Sequence, residues 1–569
     1  MCGIWGYISK LGDLSITKKK ELYESFLNIQ SRGPDRTNFL ELVENVRMFF
    51  GFHRLAIMDR STKGDQPFVL EYKNRTIYCL CNGEIFNFNE LKEKYNLETY
   101  SNSDCEVIPL LYEKLDFEIL LQDLIGEFAF MIIDVYHDQN KIIVKGARDQ
   151  LGVRPMFYGH DDNGFAFCSE MKGLKDIVDR SSIKPFPPGS YIDIIIDSMD
   201  DNNIKMEFDI KPYYILKDFT RVNLSDEDLF KQENLQPYFD KIFELFEKCV
   251  ICRAESDRPT GALLSGGLDS SLIVSIIAKY YKEQYNKKLR TFSIGMEGST
   301  DEKYAKMVAK HCDTEHTHIK FTTNEFLDAI KDVIWTTETH DITTIRASVG
   351  QYLISKWISE NTDIKVLYIG DGSDELCSGY MYFHNAPSPE ESHEENKKLL
   401  SELYLYDVLR ADRGIAGNGL EARVPFLDYR FVDYYLSLDP RLRVPHNGME
   451  KWLLRTAFEK SGYLPNEILF RKKEAFSDGV SSKEKSWYQI IQDKANTLYT
   501  DEELKLTQDI LQKCNEYPIP PNKEALYFRN LFHSLFGEKV YTVIPKYWLP
   551  KWCGDINEPS ARVLDVYKG

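Results

Sequence analysis

The sequence lacks the features that mark secreted, membrane and nucleic-acid-binding proteins. Its beginning has no basic segment followed by an apolar core, and no apolar run approaches the roughly 18–20 residues that span a bilayer. Basic residues are in the minority, with 71 Lys and Arg against 89 Asp and Glu and a net charge of −18. This balance excludes a broad surface for phosphate backbones. We therefore expect a cytoplasmic protein with neither a nucleic-acid nor a membrane partner.

Cysteine is also sparse for a disulfide-stabilised protein. The 11 cysteines are an odd number scattered over 569 residues, which fits reduced thiols in a cytosolic compartment. The length exceeds what one core serves, so about two to four domains are expected. The apolar content of 43% is ample for burying their cores.

The two halves of the chain differ in the period of their apolar residues. Up to about residue 210, short runs rich in β-branched and aromatic residues predict the strands of an α+β domain with two packed sheets. Later apolar runs are each followed by a helical stretch, which predicts a mostly parallel sheet with ligands at the carboxyl ends of its strands. The predicted strands are 48–58, 76–81, 128–136, 141–146, 164–169, 258–264, 288–295 and 365–370, and the predicted helices are 18–30, 103–115, 268–281, 301–311 and a region near 400–415.

The change of pattern also suggests where the domains begin and end. We predict an N-terminal domain over residues 1–210, a linker over 211–235, a C-terminal domain over 236–555 and a tail over 556–569. The acidic, Asn-rich stretch 197–203 is predicted to be an exposed loop, and the charged stretch 388–397 is predicted to be a mobile loop.

Cys2 directly follows Met1 in the opening Met-Cys-Gly-Ile-Trp-Gly. If Met1 is removed, Cys2 carries both a thiol nucleophile and a free α-amine. The amine titrates at roughly pKa 7.7–8.0, so it can accept the proton of the thiol directly or through water. Such a pair can transfer an acyl group without a distant histidine. A cysteine at this position is commonplace by itself, so its role depends on the rest of the chain.

Residues 263–271, Leu-Leu-Ser-Gly-Gly-Leu-Asp-Ser-Ser, lie between a predicted strand and a predicted helix. Two glycines let the backbone approach a ligand, and the N–H groups and dipole of the following helix favour an anion. The chain has no GxxxxGK[ST] sequence, so this loop is not of the Walker type. Asp269 would be unfavourable beside phosphate unless it held a cation. The pattern therefore predicts a phosphate site with a cation nearby.

Two motifs connect the chain to known families. Ser-Gly-Gly-Leu-Asp-Ser-Ser is similar to the pyrophosphate loop of ATP-pyrophosphatases, and Met-Cys-Gly-Ile resembles the opening of class II glutamine amidotransferases. Together in one chain they resemble the glutamine-hydrolysing asparagine synthetase family. The resemblance extends through motifs at residues 50–56, 82–84, 148–155, 343–348, 372–375, 419–428 and 473–479. It implies an N-terminal Ntn-hydrolase-like αββα sandwich and a C-terminal parallel sheet of the adenine nucleotide α-hydrolase-like, or PP-loop, type.

The resemblance also implies a reaction at two sites. Glutamine is hydrolysed at the first, and ammonia crosses an interdomain tunnel to the second. There ATP, with Mg²⁺, converts aspartate to β-aspartyl-AMP, and ammonia displaces AMP to give asparagine. The expected partners are the small molecules glutamine, aspartate and ATP, and the resemblance allows a homodimer.

For the glutaminase site, the resemblance makes Cys2 the nucleophile that forms a γ-glutamyl thioester. The oxyanion would be bound by the side-chain amide of Asn82 and the backbone N–H of Gly83. Arg54 would clamp the α-carboxylate, and Asp104 would pair with the α-ammonium. The glutamine-binding residues that the resemblance implies are Arg54, Leu55, Ala56, Ile57, Met58, Asn82, Gly83, Glu84 and Asp104.

For the synthetase site, the resemblance makes Lys473 the cation that neutralises the adenylation transition state, with Asp269 and Asp374 as Mg²⁺ ligands. Asp371 stands where the best-known members of the family have a glutamate linked to adenylate formation, and it keeps the charge with one methylene less. The residues implied for ATP and pyrophosphate are Leu263, Ser265, Gly266, Gly267, Asp269, Ser270, Ser271, Ile294, Ile369 and Gly370. The candidates for aspartate are Thr343, Thr344 and Arg346.

Two other interpretations stay open. The chain could be an amide-forming enzyme that adenylates a different carboxylate, which ATP-dependent AMP release across free amino acids would reveal. It could instead be a non-catalytic sensor of amino acids or nucleotides. Intact Cys2, Asn82, Asp269 and Lys473 argue against a sensor, whereas absence of both glutaminase and pyrophosphate-releasing activity would support one.

Overall fold

Three β-sheets organise the described part of the chain, two in the N-terminal part and one in the C-terminal part. The structure is a computed structural model, and it describes residues 1–10, 14–44, 46–139, 141–198, 204–473, 479–481, 485–540, 544–554 and 556–560. Of the predicted features, residues 199–203, 474–478 and 561–569 lie outside the described residues.

The N-terminal part contains two six-stranded antiparallel sheets. Its elements in chain order are β1 (Gly3–Ser9), α1 (Ile16–Leu27), β2 (Arg36–Val43), β3 (Arg47–Arg54), β4 (Phe68–Tyr72), β5 (Arg75–Ile85), α2 (Phe88–Tyr95), α3 (Val107–Lys114), α4 (Phe117–Asp123), β6 (Gly126–Tyr136), β7 (Lys141–Arg148), β8 (Phe157–His160), β9 (Gly164–Cys168), β10 (Lys184–Pro185), β11 (Ser190–Ser198) and β12 (Ile204–Pro212). The first sheet has the order β10-β8-β9-β1-β3-β2, and the second has the order β12-β11-β7-β6-β5-β4.

The two sheets pack face to face. Successive side chains of a strand point to opposite faces, so Ile4 enters the core between the sheets with Leu80 and Met131, whereas Trp5 lies on the outer face beside Phe26 of α1. Helices α2, α3 and α4 cover the outer face of the second sheet. The result is an αββα sandwich, and the predicted α+β class is confirmed.

The C-terminal part is built on one five-stranded parallel sheet. Its elements are α5 (Asp226–Leu229), α6 (Gln232–Ile251), β13 (Thr260–Leu263), α7 (Leu268–Tyr285), β14 (Arg290–Gly295), α8 (Asp301–His311), β15 (Glu315–Lys320), α9 (Thr323–Asp328), α10 (Ile330–Thr337), α11 (Ile342–Asn361), β16 (Val366–Tyr368), α12 (Ser373–Leu376), α13 (Pro389–Glu402), α14 (Asp407–Ala416), β17 (Glu421–Arg423), α15 (Tyr429–Ser437), α16 (Trp452–Phe458), α17 (Asn466–Leu469), α18 (Trp487–Leu498), α19 (Asp501–Cys514) and α20 (Lys523–Phe536).

The strand order of this sheet creates a binding crevice. The order is β15-β14-β13-β16-β17, so the chain moves outward on one side of β13 and then returns to its other side. Ligands of open α/β sheets bind at such a switch point, beyond the carboxyl ends of the strands. The predicted parallel sheet is confirmed, and its switch point lies at the end of the strand that precedes the phosphate loop.

One stretch predicted as a loop is a helix instead. Residues 388–397 fall largely within α13, where the Ser388 side chain accepts a hydrogen bond from the Glu391 N–H and Pro389 occupies the first turn. Serine caps and early prolines favour helix starts, and acidic residues there complement the helix dipole. The high charge of the stretch therefore belongs to a helix whose other face buries Leu399 and Leu400.

The segment predicted as a linker is partly helical, because β12 ends at Pro212 whereas α5 and the start of α6 lie within 211–235. The domain boundaries themselves stay predictions. All 11 cysteines are free, including Cys249 and Cys252 with their Cys-x-x-Cys spacing at the end of α6. Among the helices that the structure describes, none has both the length and the apolar content needed to cross a membrane.

Candidate functional site

Cys2 lies immediately before β1, at the boundary between the two parts of the chain. Its half-buried thiol donates a hydrogen bond to the Leu55 carbonyl at 3.6 Å. Burial raises the pKa of this thiol, and the positively charged chain terminus opposes that effect. The Met1 α-amine is buried against the Leu420 carbonyl at 3.3 Å, and burial lowers its pKa to about 6. These surroundings favour a neutral amine next to a protonated thiol.

The predicted oxyanion residues lie on β5. Asn82 is completely buried, and neither Oδ1 nor Nδ2 of its amide has a hydrogen-bond partner among the described residues. Its strand partner Ala129 belongs to the intersheet core against which Cys2 packs. A buried amide without partners is costly. Asn82 therefore offers donors and acceptors to a ligand.

Gly83 must be a glycine for steric reasons. A β-carbon at this position would lie 2.4 Å from the Glu127 carbonyl oxygen and 2.6 Å from the Phe128 Cα. The neighbouring strand therefore packs directly on the Gly83 backbone, which fixes the position of the strand beside Asn82.

Arg54 ends β3 and holds the loop that follows it. Its Nη1 donates to the Ser61 carbonyl and to Asp65 Oδ1, each at 2.6 Å, and its Nη2 donates to the Met58 carbonyl at 3.2 Å and to the Asp59 carbonyl. The guanidinium is buried among these acceptors. Its observed role is to shape the loop, and the clamp on the substrate carboxylate stays a prediction.

The loop shaped by Arg54 contains the predicted residues 55–58. Leu55 and Ile57 form a buried apolar cluster with Val366, the first residue of β16. Ala56 is buried, and its N–H donates to Asp35 Oδ2 at 2.9 Å. The predicted glutamine pocket is therefore backed by the C-terminal sheet.

The two carboxylates predicted for the glutamine pocket, Asp104 and Glu84, are both buried. Asp104 Oδ2 accepts a hydrogen bond from the Ile85 N–H at 2.6 Å. Burial raises the pKa of Asp104 to about 6, and burial together with Asp104 and Glu421 raises the pKa of Glu84 well above its usual range. An incoming ammonium group would lower both pKa values and be attracted in turn.

A cavity of about 220 Å³ lies beyond the carboxyl ends of β13, β14 and β16. Most of the residues predicted for the synthetase site line it. They are Leu263, Ser265, Gly267, Asp269, Ser270, Ile294, Thr343, Ile369, Gly370, Asp371, Asp374 and Lys473. Gly266, Ser271, Thr344 and Arg346 are described but do not belong to this lining.

The phosphate loop is held in an open turn at the start of α7. Gly266 has φ +78°, and a β-carbon there would lie 2.4 Å from the Ala305 nitrogen. The Ser265 and Ser270 hydroxyls are 3.1 Å apart, and Ser265 Oγ also accepts from the Gly267 N–H at 3.2 Å. The 18-residue helix α7 then directs its N-terminus toward the cavity, as anion sites require.

Ion pairs occupy the middle of the cavity. Lys451 Nζ lies 2.7 Å from Asp269 Oδ1 and 2.5 Å from Asp374 Oδ1, and Lys473 Nζ lies 2.5 Å from Asp374 Oδ2. Burial would raise the pKa of Asp374, but the two lysines hold it well below its ordinary value. Because both carboxylates converge on one cation, they fit the ligand set of a divalent ion.

Asp371, Asp407 and Arg410 line another part of the cavity. Arg410 Nη2 lies 2.7 Å from Asp371 Oδ1 and 2.7 Å from Asp407 Oδ1. Burial raises the pKa of Asp371, and Arg410 opposes that effect. The Thr343 hydroxyl on the cavity wall is buried and has no partner among the described side chains. These groups can recognise a small charged molecule.

The other two aspartate candidates are engaged elsewhere. Arg346 Nε donates to Glu524 Oε1 at 2.8 Å, and its Nη1 donates to Glu558 Oε1 at 2.5 Å. The Thr344 hydroxyl donates to Asp341 Oδ2 at 2.8 Å, at the start of α11. Their contribution to aspartate binding stays a prediction.

Several cations near the two sites were not predicted from the sequence, among them Lys451, Arg410 and Arg32. Lys451 and Arg410 line the cavity, and Arg32 Nε donates to the Cys2 carbonyl at 2.9 Å. No local pattern identifies the first two. Arg32 stands in Ser-Arg-Gly-Pro-Asp, where a turn around the proline gave the only signal.

Comparison with known proteins matches both parts of the chain. The family model described as a glutamine amidotransferase domain matches residues 1–186, and the one described as asparagine synthase matches residues 241–403 and 388–539. The asparagine synthetase [glutamine-hydrolyzing] of Gallus gallus is 43% identical over 584 residues, which cover 100% of this chain and 99% of that protein. The Homo sapiens protein of the same name is 42% identical over 577 residues, with the same coverage.

Proposed function

Because the chain belongs to the family of glutamine-hydrolysing asparagine synthetases, we propose that it makes asparagine at two sites. Glutamine is hydrolysed in the N-terminal part. In the C-terminal part ATP, aspartate and the released ammonia give asparagine, AMP and diphosphate. The observation that carries this proposal is that one chain contains both sets of groups. The Cys2 thiol packs on the core that adjoins the strand of Asn82, whose buried amide has no partner among the described residues. The phosphate loop and Lys473 line the same cavity.

The first half-reaction begins once Met1 has been removed. Cys2 Sγ attacks the side-chain amide carbon of glutamine, and the Cys2 α-amine takes the thiol proton and passes it to the departing ammonia. The Asn82 amide and the Gly83 N–H donate to the oxyanion. Water then cleaves the γ-glutamyl thioester to give glutamate.

The charged ends of glutamine call for opposite partners. The carboxylates of Asp104 and Glu84 suit the α-ammonium, and Arg54 suits the α-carboxylate. Leu55, Ala56, Ile57 and Met58 would then lie along the aliphatic part of the substrate. The two Nη atoms of Arg54 already donate to four acceptors, so the substrate carboxylate would bind at its Nε–H or replace one of those acceptors.

The second half-reaction is an adenylation. The β-carboxylate of aspartate attacks the α-phosphorus of ATP, and diphosphate leaves toward the Ser265–Ser271 loop and the N-terminus of α7. Lys473 neutralises charge that develops on the phosphorus oxygens. Asp269 and Asp374 would hold Mg²⁺, which supplies neutralisation of the phosphate charge when it is bound.

Aspartate recognition fits the part of the cavity lined by Thr343, Asp371 and Arg410. Arg410 can pair with the α-carboxylate, and Asp371 can pair with the α-ammonium, since the two side chains already attract each other at 2.7 Å. The ammonia then crosses from the first site to the second between the two parts of the chain. A cytoplasmic location and a homodimer stay predictions of the sequence.

Replacement of Cys2 by alanine tests the division of labour. We expect Cys2→Ala to lower glutamine-dependent asparagine synthesis at least 10³-fold, because no thioester can form. Ammonium-dependent synthesis should stay within about twofold of the wild type. The measurement is asparagine and diphosphate production from aspartate and ATP with either nitrogen donor.

The control variant is Cys79→Ala, which removes another buried thiol from the same part of the chain. It should leave both reactions intact. Loss of both reactions in Cys2→Ala, or retention of the glutamine-dependent one, would contradict the proposal. Failure of aspartate to support AMP release while another carboxylate succeeds would instead identify a different acceptor.

A further inference from the structure

Arg32 connects the nucleophile to the synthetase part of the chain. Its side chain is completely buried. Its Nε donates to the Cys2 carbonyl at 2.9 Å, and its Nη1 donates to Glu170 Oε1 and to Asp412 Oδ2, each at 2.8 Å. Glu170 belongs to the glutaminase part, whereas Asp412 lies on α14. The guanidinium that holds the Cys2 backbone is therefore itself held from both sides of the boundary.

The first turn of α14 reaches the synthetase cavity. Asp407 and Arg410 lie in the first two turns of the helix and line the cavity, where Arg410 pairs with Asp371. Arg410 and Asp412 are two residues apart on α14, which places them about 3 Å apart along the helix axis and on opposite sides of it. One short helix thus carries a side chain that contacts the adenylation cavity and another that contacts the guanidinium behind Cys2.

The contacts at Asp412 are directional and buried. Both carboxylate oxygens face Arg32, with the second pair of atoms, Nη2 and Oδ1, 3.4 Å apart. Arg154 Nη1 lies 3.6 Å from the same Oδ1, and all three side chains are at most 2% exposed. Planar guanidinium groups hold a carboxylate in a defined orientation. A shift or rotation of α14 must therefore displace Arg32 or break its pairing.

We propose that Asp412 is a positioning residue for glutamine hydrolysis. It holds Arg32 against the Cys2 carbonyl, and α14 makes this support responsive to what occupies the Asp371–Arg410 part of the synthetase cavity. The inference rests on the proposed function and adds a route by which binding of aspartate and ATP alters the rate of ammonia release. The route is a contiguous series of contacts from Asp371 through Arg410, α14, Asp412 and Arg32 to Cys2.

The test measures glutamine hydrolysis with and without saturating ATP and aspartate. We expect the wild-type rate to differ by at least threefold between the two conditions. In Asp412→Asn, which keeps the shape but removes the charge, kcat for hydrolysis should fall at least tenfold with KM within threefold. The ratio between the two conditions should approach one, while ammonium-dependent synthesis stays within twofold. Asp412→Glu should restore part of the response.

A matched control lies at the same boundary. Asp428 is equally buried and pairs with Arg253 at 2.8 Å, and Arg253 also pairs with Glu127 of the glutaminase part. Asp428 itself has no contact with Arg32, Cys2 or the cavity among the described interactions, and its link to Asp412 passes through three intervening residues, Arg253, Glu127 and Arg154. Asp428→Asn should keep both kcat and the response to ATP and aspartate. If Asp428→Asn and Asp412→Asn lose kcat and the response equally, the cause is a general loosening of the boundary between the two parts, and the proposal is overturned.

A second measurement needs no variant. Mass spectrometry of the Cys2 peptide after brief exposure to iodoacetamide reports how the thiol environment responds to the cavity. ATP and aspartate together should change the alkylation rate at least threefold, and an unchanged rate would overturn the inference. If the proposed function itself is wrong, the wild-type protein will make no asparagine from glutamine, aspartate and ATP. That result is distinct from an unchanged alkylation rate.

Discussion

The two candidate sites satisfy their polar groups in opposite ways. At the glutaminase site the Asn82 amide is buried and has no hydrogen-bond partner in the part of the chain that the structure describes, and β-strand backbone fixes the residues around it. In the synthetase cavity the charged side chains already neutralise one another, as Lys451 does with Asp269 and Asp374. The proposed oxyanion position of the first site therefore has free hydrogen-bonding capacity, whereas the proposed phosphate position of the second is occupied by ion pairs.

This difference follows from the charge of the molecules that each site handles. The amide of glutamine is neutral and becomes anionic only in the transition state, so fixed neutral donors suffice. ATP is a polyanion whose phosphates must compete with Asp374 for Lys473. We infer that ATP and a divalent cation enter together, since the cation compensates the carboxylates while the phosphates compensate the lysines.

The largest expected effect concerns Lys473, the side chain proposed to neutralise the adenylation transition state. Lys473→Ala should lower asparagine synthesis about 10³-fold or more with either nitrogen donor, because a cation on a phosphoryl-type transition state is worth about 10³–10⁵. Glutamine hydrolysis should stay within about twofold, since Lys473 does not contact that site. The two activities are measured as diphosphate and glutamate release.

The conservative variant sharpens this result. Lys473→Arg keeps the charge but not the point geometry of an ammonium, and we expect it to recover part of the activity. Equal loss of glutamine hydrolysis in Lys473→Ala would show that the two sites are not separately organised.

The next effect concerns Asn82. Asn82→Ala should lower kcat for glutamine hydrolysis by about 10²–10³, the usual cost of removing one oxyanion donor. Ammonium-dependent synthesis serves as the internal control and should be unchanged. If Asn82→Ala hydrolyses glutamine at the wild-type rate, the Asn82 amide does not bind the oxyanion. The two sites would then not differ in the way described above.

The pH dependence of glutamine binding tests the carboxylates of the first site. Asp104 must be ionised to attract the α-ammonium, and burial raises its pKa to about 6 in the free protein. KM for glutamine should therefore be constant above that pH and rise about tenfold per unit below it. Because the bound ammonium keeps the carboxylate ionised, kcat should be less affected by this group.

The variant Asp104→Asn separates this group from Glu84 and Glu421, which lie close to it. It should raise KM at neutral pH and remove most of the rise between pH 6 and 5. A rise of unchanged steepness in Asp104→Asn would assign the titration to one of the neighbouring carboxylates.

The parts of the fold that could be predicted have local signals. The alternation of Phe130 and Met131 across β6 and the alternating strands and helices after residue 258 depend on side-chain period alone. Strands β1 and β2 were not predicted. Helix α13 was missed because its charged residues dominate its composition. Its cap and first-turn proline, Ser388 and Pro389, were nevertheless visible in the sequence.

The sites could be predicted only where they depend on contiguous motifs. Cys2 and the Ser265–Ser271 loop are recognisable because a chain start and a strand-turn-helix unit create their chemistry locally. Lys451 and Arg410 reach the cavity from remote parts of the chain. No spacing in the sequence reports that convergence, since it is produced by the packing of helices around the sheet.

The smallest expected effect concerns Arg346, which the sequence suggested for aspartate and the structure pairs with Glu524 and Glu558. Glu558→Gln should lower the free energy of unfolding of this part by about 1–3 kcal/mol, the usual cost of weakening a hydrogen bond to a buried charge, and should leave KM for aspartate within twofold. Urea denaturation and steady-state kinetics measure the two quantities. The matched control Glu516→Gln, at a more exposed pair 3.6 Å from Arg529, should cost less than about 1 kcal/mol. If Arg346 binds aspartate instead, Glu558→Gln should lower KM for aspartate severalfold, because it frees the guanidinium. The second site would then resemble the first in binding its substrate through a buried group that has lost its protein partner.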